Sequence, residues 1–164
     1  MPDKIDPIRE TDDDARALAR DLIGAARIAA LAVIEPETGA PFVSRIAFGL
    51  GPDAEPMTLV SDLALHARAL RADPRAALLI GEPGAKGDPL THPRLTLRTT
   101  ARFLDPAPAE RARLRGAWLR HHPKAALYID FADFRFVRFD VESGHLNGDF
   151  AKAYALGQND LKVT

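Results

Sequence analysis

From Arg94 to Phe103 polar and apolar residues alternate without a break: Arg94, Thr96, Arg98, Thr100 and Arg102 on one side, Leu95, Leu97, Thr99, Ala101 and Phe103 on the other. A period of two with one apolar face is the signature of a half-buried strand. Ile28–Ile34 is apolar throughout and Phe42–Phe48 is rich in β-branched and aromatic residues, with Pro36-Glu-Thr-Gly39 between them, so the pair reads as a hairpin. Further strands are predicted at Met57–Ser61, at Arg75–Gly81 and at Phe134–Val141, the last followed by a turn over Gly144–Gly148 and a short closing element. Helical spacing appears in three places. Ala15, Leu18, Leu22 and Ile23 follow Thr11 and three aspartates, which predicts a helix over 12–26 with acidic residues in its first turn. Leu63, Ala67 and Leu70 predict a second helix, stopped at Asp73-Pro74, and the stretch 107–121 predicts a third, opened by prolines and closed at Pro123. Six or more strands with peripheral helices and short connections imply a mainly β protein, a closed antiparallel barrel rather than a parallel α/β sheet.

The 164 residues, 46% hydrophobic, suffice for one domain over 1–164 with its own core. The chain has no cysteine, which removes disulfides and thiol chemistry and favours a reducing, cytoplasmic location. The acidic opening segment shows no export signal and no apolar run is long enough to span a membrane. With 22 basic and 23 acidic residues, no nucleic-acid or membrane partner is expected. Eight basic residues between Arg94 and Lys124, set against Asp105 and Glu110, predict a local basic face.

The junction from strand to helix at Ser61-Asp62-Leu63-Ala64-Leu65-His66 carries the sharpest chemistry. Free amides at 63–66 and the positive end of a helix suit an anion, with His66 and Arg68 as added donors. Asp62 opposes this, since an N-cap carboxylate would occupy those amides itself. No nucleophile–base–acid order, P-loop or Gly-x-Gly-x-x-Gly is present, so chemistry would have to come from a bound cofactor. His121-His122 lies at a helix end, where adjacent imidazoles point apart and make no metal pair. Trp118, at helical spacing with Leu114, reads as core.

In this order the segments resemble the split-barrel FMN-binding proteins similar to pyridoxamine 5′-phosphate oxidase, especially the haem-utilisation branch. The likeness rests on four blocks, Pro41-Phe-Val-Ser-Arg-Ile-Ala-Phe48, Leu59-Val-Ser-Asp-Leu-Ala-Leu-His-Ala-Arg-Ala-Leu-Arg-Ala-Asp-Pro74, Asp88-Pro-Leu-Thr-His-Pro-Arg-Leu-Thr-Leu97 and, more weakly, Asn147-Gly-Asp-Phe-Ala-Lys-Ala-Tyr154. It implies a split barrel over about 28–155, paired into a homodimer with FMN at the interface, acting as an oxidoreductase that exchanges electrons with a small molecule. By position, Ser44, Arg45 and Ile46 would line the flavin, Val60 and Ser61 would meet it through backbone and hydroxyl, and Leu65 and His66 stand where the oxidase has an Arg-Lys phosphate pair. Arg68 or Arg45 would supply the missing charge, and Arg94 replaces a flavin-contacting glutamine. Gly49 replaces a substrate lysine, so pyridoxamine-phosphate oxidation itself is not expected, and Thr99 stands where the family has glycine. The haem branch implies the alternative of a haem-binding or haem-degrading protein with His145, placed in the Gly144–Gly148 turn, as axial ligand. A cofactor-free dimeric binding module is the third reading.

Overall fold

The computed structural model describes residues 7–149 and 152–164. The first residues of the acidic opening segment, and Phe150 and Ala151 of the fourth block, lie outside them. Strand β1 (Ile8–Arg9) leads to α1 (Asp13–Ala25), which starts where Asp12 accepts the Ala15 amide at 2.8 Å and buries Ala15, Ala19 and Ile23. The hairpin follows as β2 (Ile28–Ile34) and β3 (Pro41–Ala47), in which Ile28 lies opposite Ala47 and Ile34 opposite Pro41. Then come β4 (Gly49–Leu50), β5 (Pro56–Ser61), α2 (Leu65–Ala72), β6 (Arg75–Ile80), β7 (Arg94–Phe103), α3 (Pro108–His121), β8 (Phe134–Asp149) and β9 (Lys152–Gly157).

All nine strands belong to one sheet, ordered β1-β9-β8-β7-β6-β2-β3, with β5 joined to β8 and β4 to β5. The division of the sheet is made by β8. One of its edges pairs with β7 from Val137 to Asn147; the other pairs first with β5, at Phe134–Arg138, and then with β9, at Ser143–Asp149. The barrel is therefore split, as the family resemblance implies, and not closed as the strand pattern alone suggests, because β3 makes no ladder with β5. A bulge after Arg98 sets Arg98 opposite Ser143 and Thr99 opposite Val141, adding a residue to β8 and bending it.

The predicted turn at Gly144–Gly148 is instead the second half of that single 16-residue strand. Gly144 is a packing glycine: a Cβ there would come within 3.1 Å of Leu161 and 3.2 Å of Leu95. The main core gathers Leu31, Phe48, Val60, Leu78, Leu97, Val137 and Phe139 inside the sheet. A smaller cluster joins Leu114 and Trp118 of α3 to Met57 of β5 and Phe136 of β8, so α3 covers the outside of these strands. His122 caps α3 and its Nε2 lies 2.8 Å from the Phe48 carbonyl, while His121 is the last helical residue. Half of the expected basic face is neutralised: Arg102 pairs with Asp140, Arg111 and Arg115 with Asp130, and Arg113 with Asp53 and Glu110.

Candidate functional site

At the top of β5 the chain turns sharply into α2. Asp62 N–H donates to the Asp133 carbonyl at 2.7 Å, the Ser61 hydroxyl donates to the Asp133 carboxylate at 2.5 Å, and the same hydroxyl accepts Leu63 N–H at 3.2 Å. Ala64 N–H returns to the Ser61 carbonyl, and the first helical bond runs from Arg68 N–H to Ala64 O. The amides at 63 and 64 are thus consumed, and the free ones are those of Leu65, His66 and Ala67, displaced by one turn position from the expected 63–66. The helix has Ala64 at its N-cap and no side-chain cap. Asp62 does not occupy the mouth. Its carboxylate is drawn away by Arg71 at 2.9 Å and Arg135 at 3.3 Å, and Arg71 in turn stacks on Phe103. The result is an open, positive helix end.

His66 is half-buried beside Ser44, with Nδ1 3.3 Å from the hydroxyl, and burial pushes its pKa down. At neutral pH the ring is uncharged and offers a hydrogen bond rather than fixed charge. The other residues that the resemblance singled out are spread more widely. Ile46 and Val60 are core side chains with 6% and 2% exposure, so only their backbone can meet a ligand. The Ser61 hydroxyl is spent on the junction. Arg68 is exposed one turn into α2, and Leu65 is half-buried at its start. Arg45, exposed on β3, lines a hollow of about 200 Å³ with Ala30, Leu79 and Gly81. Arg94 opens β7, and its Nη1 donates to the Leu90 carbonyl at 2.9 Å.

His145 was placed in a turn by the sequence pattern; it lies in the middle of the second half of β8. It sits opposite Thr96 of β7 on one side and Ala155 of β9 on the other, exposed on the outer face of the sheet. Two residues along each strand on the same face come Arg94 and Arg98, Ser143 and Asn147, Ala153 and Gly157. The imidazole rises from a bed of small side chains with guanidinium groups along one edge, and it makes no hydrogen bond to any described residue. The face continues across β6, β2 and β3 as Leu79, Ala77, Ala30, Ala32 and Val43. This bed was missed because its parts come from three strands and only the register brings them together.

A cavity of about 650 Å³ lies elsewhere, between the β4–β5 turn and the C-terminal residues, and is lined by none of the site residues that the resemblance singled out. Its Arg102 and Arg138 pair with Asp140, so we give it no part in the site. Among the described residues no group of three or more acidic or histidine side chains is arranged to hold a metal ion, and no helix is long and apolar enough to cross a membrane.

Comparison with known proteins adds four findings. The family model of pyridoxamine 5′-phosphate oxidase matches residues 15–148. The chain is 36% identical to the chloroplastic non-canonical heme oxygenase HOZ of Arabidopsis thaliana over 104 residues, which are 62% of this chain and 30% of that protein. Among solved structures, a heme binding protein from Mycobacterium smegmatis is 31% identical with a TM-score of 0.81, covering 93% of this chain and 61% of its own. The protein Atu2129 of Agrobacterium tumefaciens is 32% identical with a TM-score of 0.81, covering 94% and 62%. This chain therefore spans about three fifths of the two bacterial relatives and less than a third of the plant one.

Proposed function

The chain belongs to the pyridoxamine 5′-phosphate oxidase family, and we propose that it binds haem on the outer face of its split barrel with His145 as the iron ligand. The observation that carries the reading is the exposed, unpartnered imidazole on a bed of small side chains. A flat macrocycle needs such a bed, and imidazole is a common haem ligand. Arg94 and Arg98, on the neighbouring strand of the same face, offer charged donors to carboxylate groups at the ring's edge. Leu79 and the alanines beyond it extend the face as an apolar surface against which the ring's hydrocarbon edge would lie. Haem bound there would bring iron redox chemistry, for which His145 would hold the iron and Arg94 and Arg98 would supply the surrounding charge. The names of the plant and mycobacterial relatives support this choice over the flavin.

A mononucleotide such as FMN is the second reading, favoured by the open mouth of α2. The free amides of Leu65 and His66, a withdrawn Asp62 and the His66–Ser44 pair fit a phosphate group, and FMN would bring two-electron oxidoreductase chemistry. The missing Arg-Lys pair and the uncharged His66 weaken that fit. Both readings include a homodimer, because Val43 and Leu79 remain 61% and 45% exposed on the alanine-lined face. Light scattering is expected to give twice the chain mass, and a monomer would remove this part.

Titration of the purified chain with haemin tests the main reading. The wild type is expected to saturate with a sharp Soret band, and His145→Ala to bind at least about tenfold more weakly. Identical curves for the two proteins would exclude His145 as the ligand. In a parallel FMN titration, weakening by His66→Ala would favour the second reading, and no uptake of FMN would end it.

A further inference from the structure

The segment between β6 and β7 is pinned by a single imidazole. His92 Nδ1 accepts the Gly84 N–H at 2.5 Å, and His92 Nε2 lies 2.8 Å from the Lys86 carbonyl. An amide only donates and a carbonyl only accepts, so the geometry requires a neutral ring with its proton on Nε2. The approach is tight: a Cβ on Gly84 would lie 3.0 Å from His92 Cε1, and the ring would have to shift by a few tenths of an ångström to admit it. The pinned segment is fastened to the sheet in turn. Asp88 accepts Leu90 N–H at 2.9 Å, and the Leu90 carbonyl receives Arg94 Nη1 at 2.9 Å. Arg94 is one of the two guanidinium groups at the edge of the His145 bed.

We propose that His92 is a proton-operated clasp that holds the segment 82–93 and, through it, fixes Arg94 at the edge of the outer face. Its effect on ligand binding rests on the haem reading; the clasp itself does not. When a proton adds to Nδ1 the ring becomes a cation with two N–H donors and no acceptor. The Gly84 N–H then faces another N–H and that bond is lost, so the segment is held to the ring only through Nε2–H and the Lys86 carbonyl and its Gly84 end is released. Arg94 loses the carbonyl that positions it. The charged groups on the elements around the clasp are Glu82, Lys86 and Asp88 in the segment, Arg94 on β7, and His145 and Asp149 on β8, whose strand packs against the Pro89–Thr91 turn. Of these types only imidazole ordinarily changes charge between about pH 5 and pH 8, which leaves His145 as the group to control for.

Nitrogen-15 NMR of the full chain without ligand tests the clasp, in a His145→Ala background and in the wild type. The expected spectrum shows His92 with its proton on Nε2 at neutral pH, and a Gly84 amide signal that moves together with His92 protonation. In His92→Ala the Gly84 signal should sit at its acid position throughout. A ring protonated on Nδ1 at neutral pH, or a Gly84 signal indifferent to His92 protonation, would overturn the clasp. Haemin affinity then reads its consequence: the loss on acidification should be about fivefold larger in wild type than in His92→Ala. Equal losses would overturn the link to Arg94. If Gly84 tracks His92 while no haemin binds, the clasp stands and the haem reading fails.

Discussion

Trp118→Ala is expected to lower stability by about 3–5 kcal/mol, the usual result of truncating a buried tryptophan. Trp118 is 1% exposed at the centre of the smaller core, stacked on His122 at 4.3 Å and edge-on to Phe136 at 6.4 Å. Its loss would leave a void between α3 and the strands, and would free His122, whose Nε2 ties the end of α3 to Phe48. One opposing effect is present. The indole Nε1–H is buried without an acceptor among the described residues, and such an orphan costs about 1–3 kcal/mol. Trp118→Phe keeps much of the packing and deletes the orphan, so it is expected to destabilise far less. Urea unfolding of the two variants separates the effects: equal losses would mean that the ring's volume is not what holds α3 in place.

Gly81→Ala is expected to cost about 2–5 kcal/mol, combining left-handed backbone strain with overpacking. Gly81 has φ of +96°, and a Cβ there would lie 2.5 Å from the Pro93 carbonyl oxygen and 2.9 Å from Arg94 Cα. These are backbone atoms, so no side-chain rotation can relieve the clash. The strands β6 and β7 would have to part just where Arg94 leaves the Pro93 turn. Thermal unfolding should show the loss directly, and haemin affinity should fall with it because Arg94 moves. A variant as stable as wild type would mean that the two strands are not held this close in solution.

Both sites depend on contacts that differ greatly in sequence separation, and this governs how far each could be foreseen. The strand Arg94–Phe103 was legible because its partners did not matter: alternation alone marks a half-buried strand. The helices at 12–26 and 107–121 were legible through caps, prolines and apolar spacing, and appear as Asp13–Ala25 and Pro108–His121. The glycines of β8 misled because a packing glycine and a turn glycine look alike until the neighbours are known, here Leu95 and Leu161. The fate of Asp62 was undetermined for a similar reason: a cap would be local, whereas Arg135 is brought beside it by the β5–β8 ladder.

From its residues alone this chain specifies a mainly β protein with three helices, an anion-suited helix start after Ser61 and a family resemblance carried by four blocks. Tertiary structure alone decided that β8 is the strand at which the sheet divides, that Asp62 turns away to Arg71 and Arg135, and that His145 stands on a bed of small side chains beside Arg94 and Arg98. The physical reason is one of range. Propensity, capping and hydrophobic period act over a few residues and are written locally, while the register of β7, β8 and β9 and the partners of buried charges arise only when distant segments share one face.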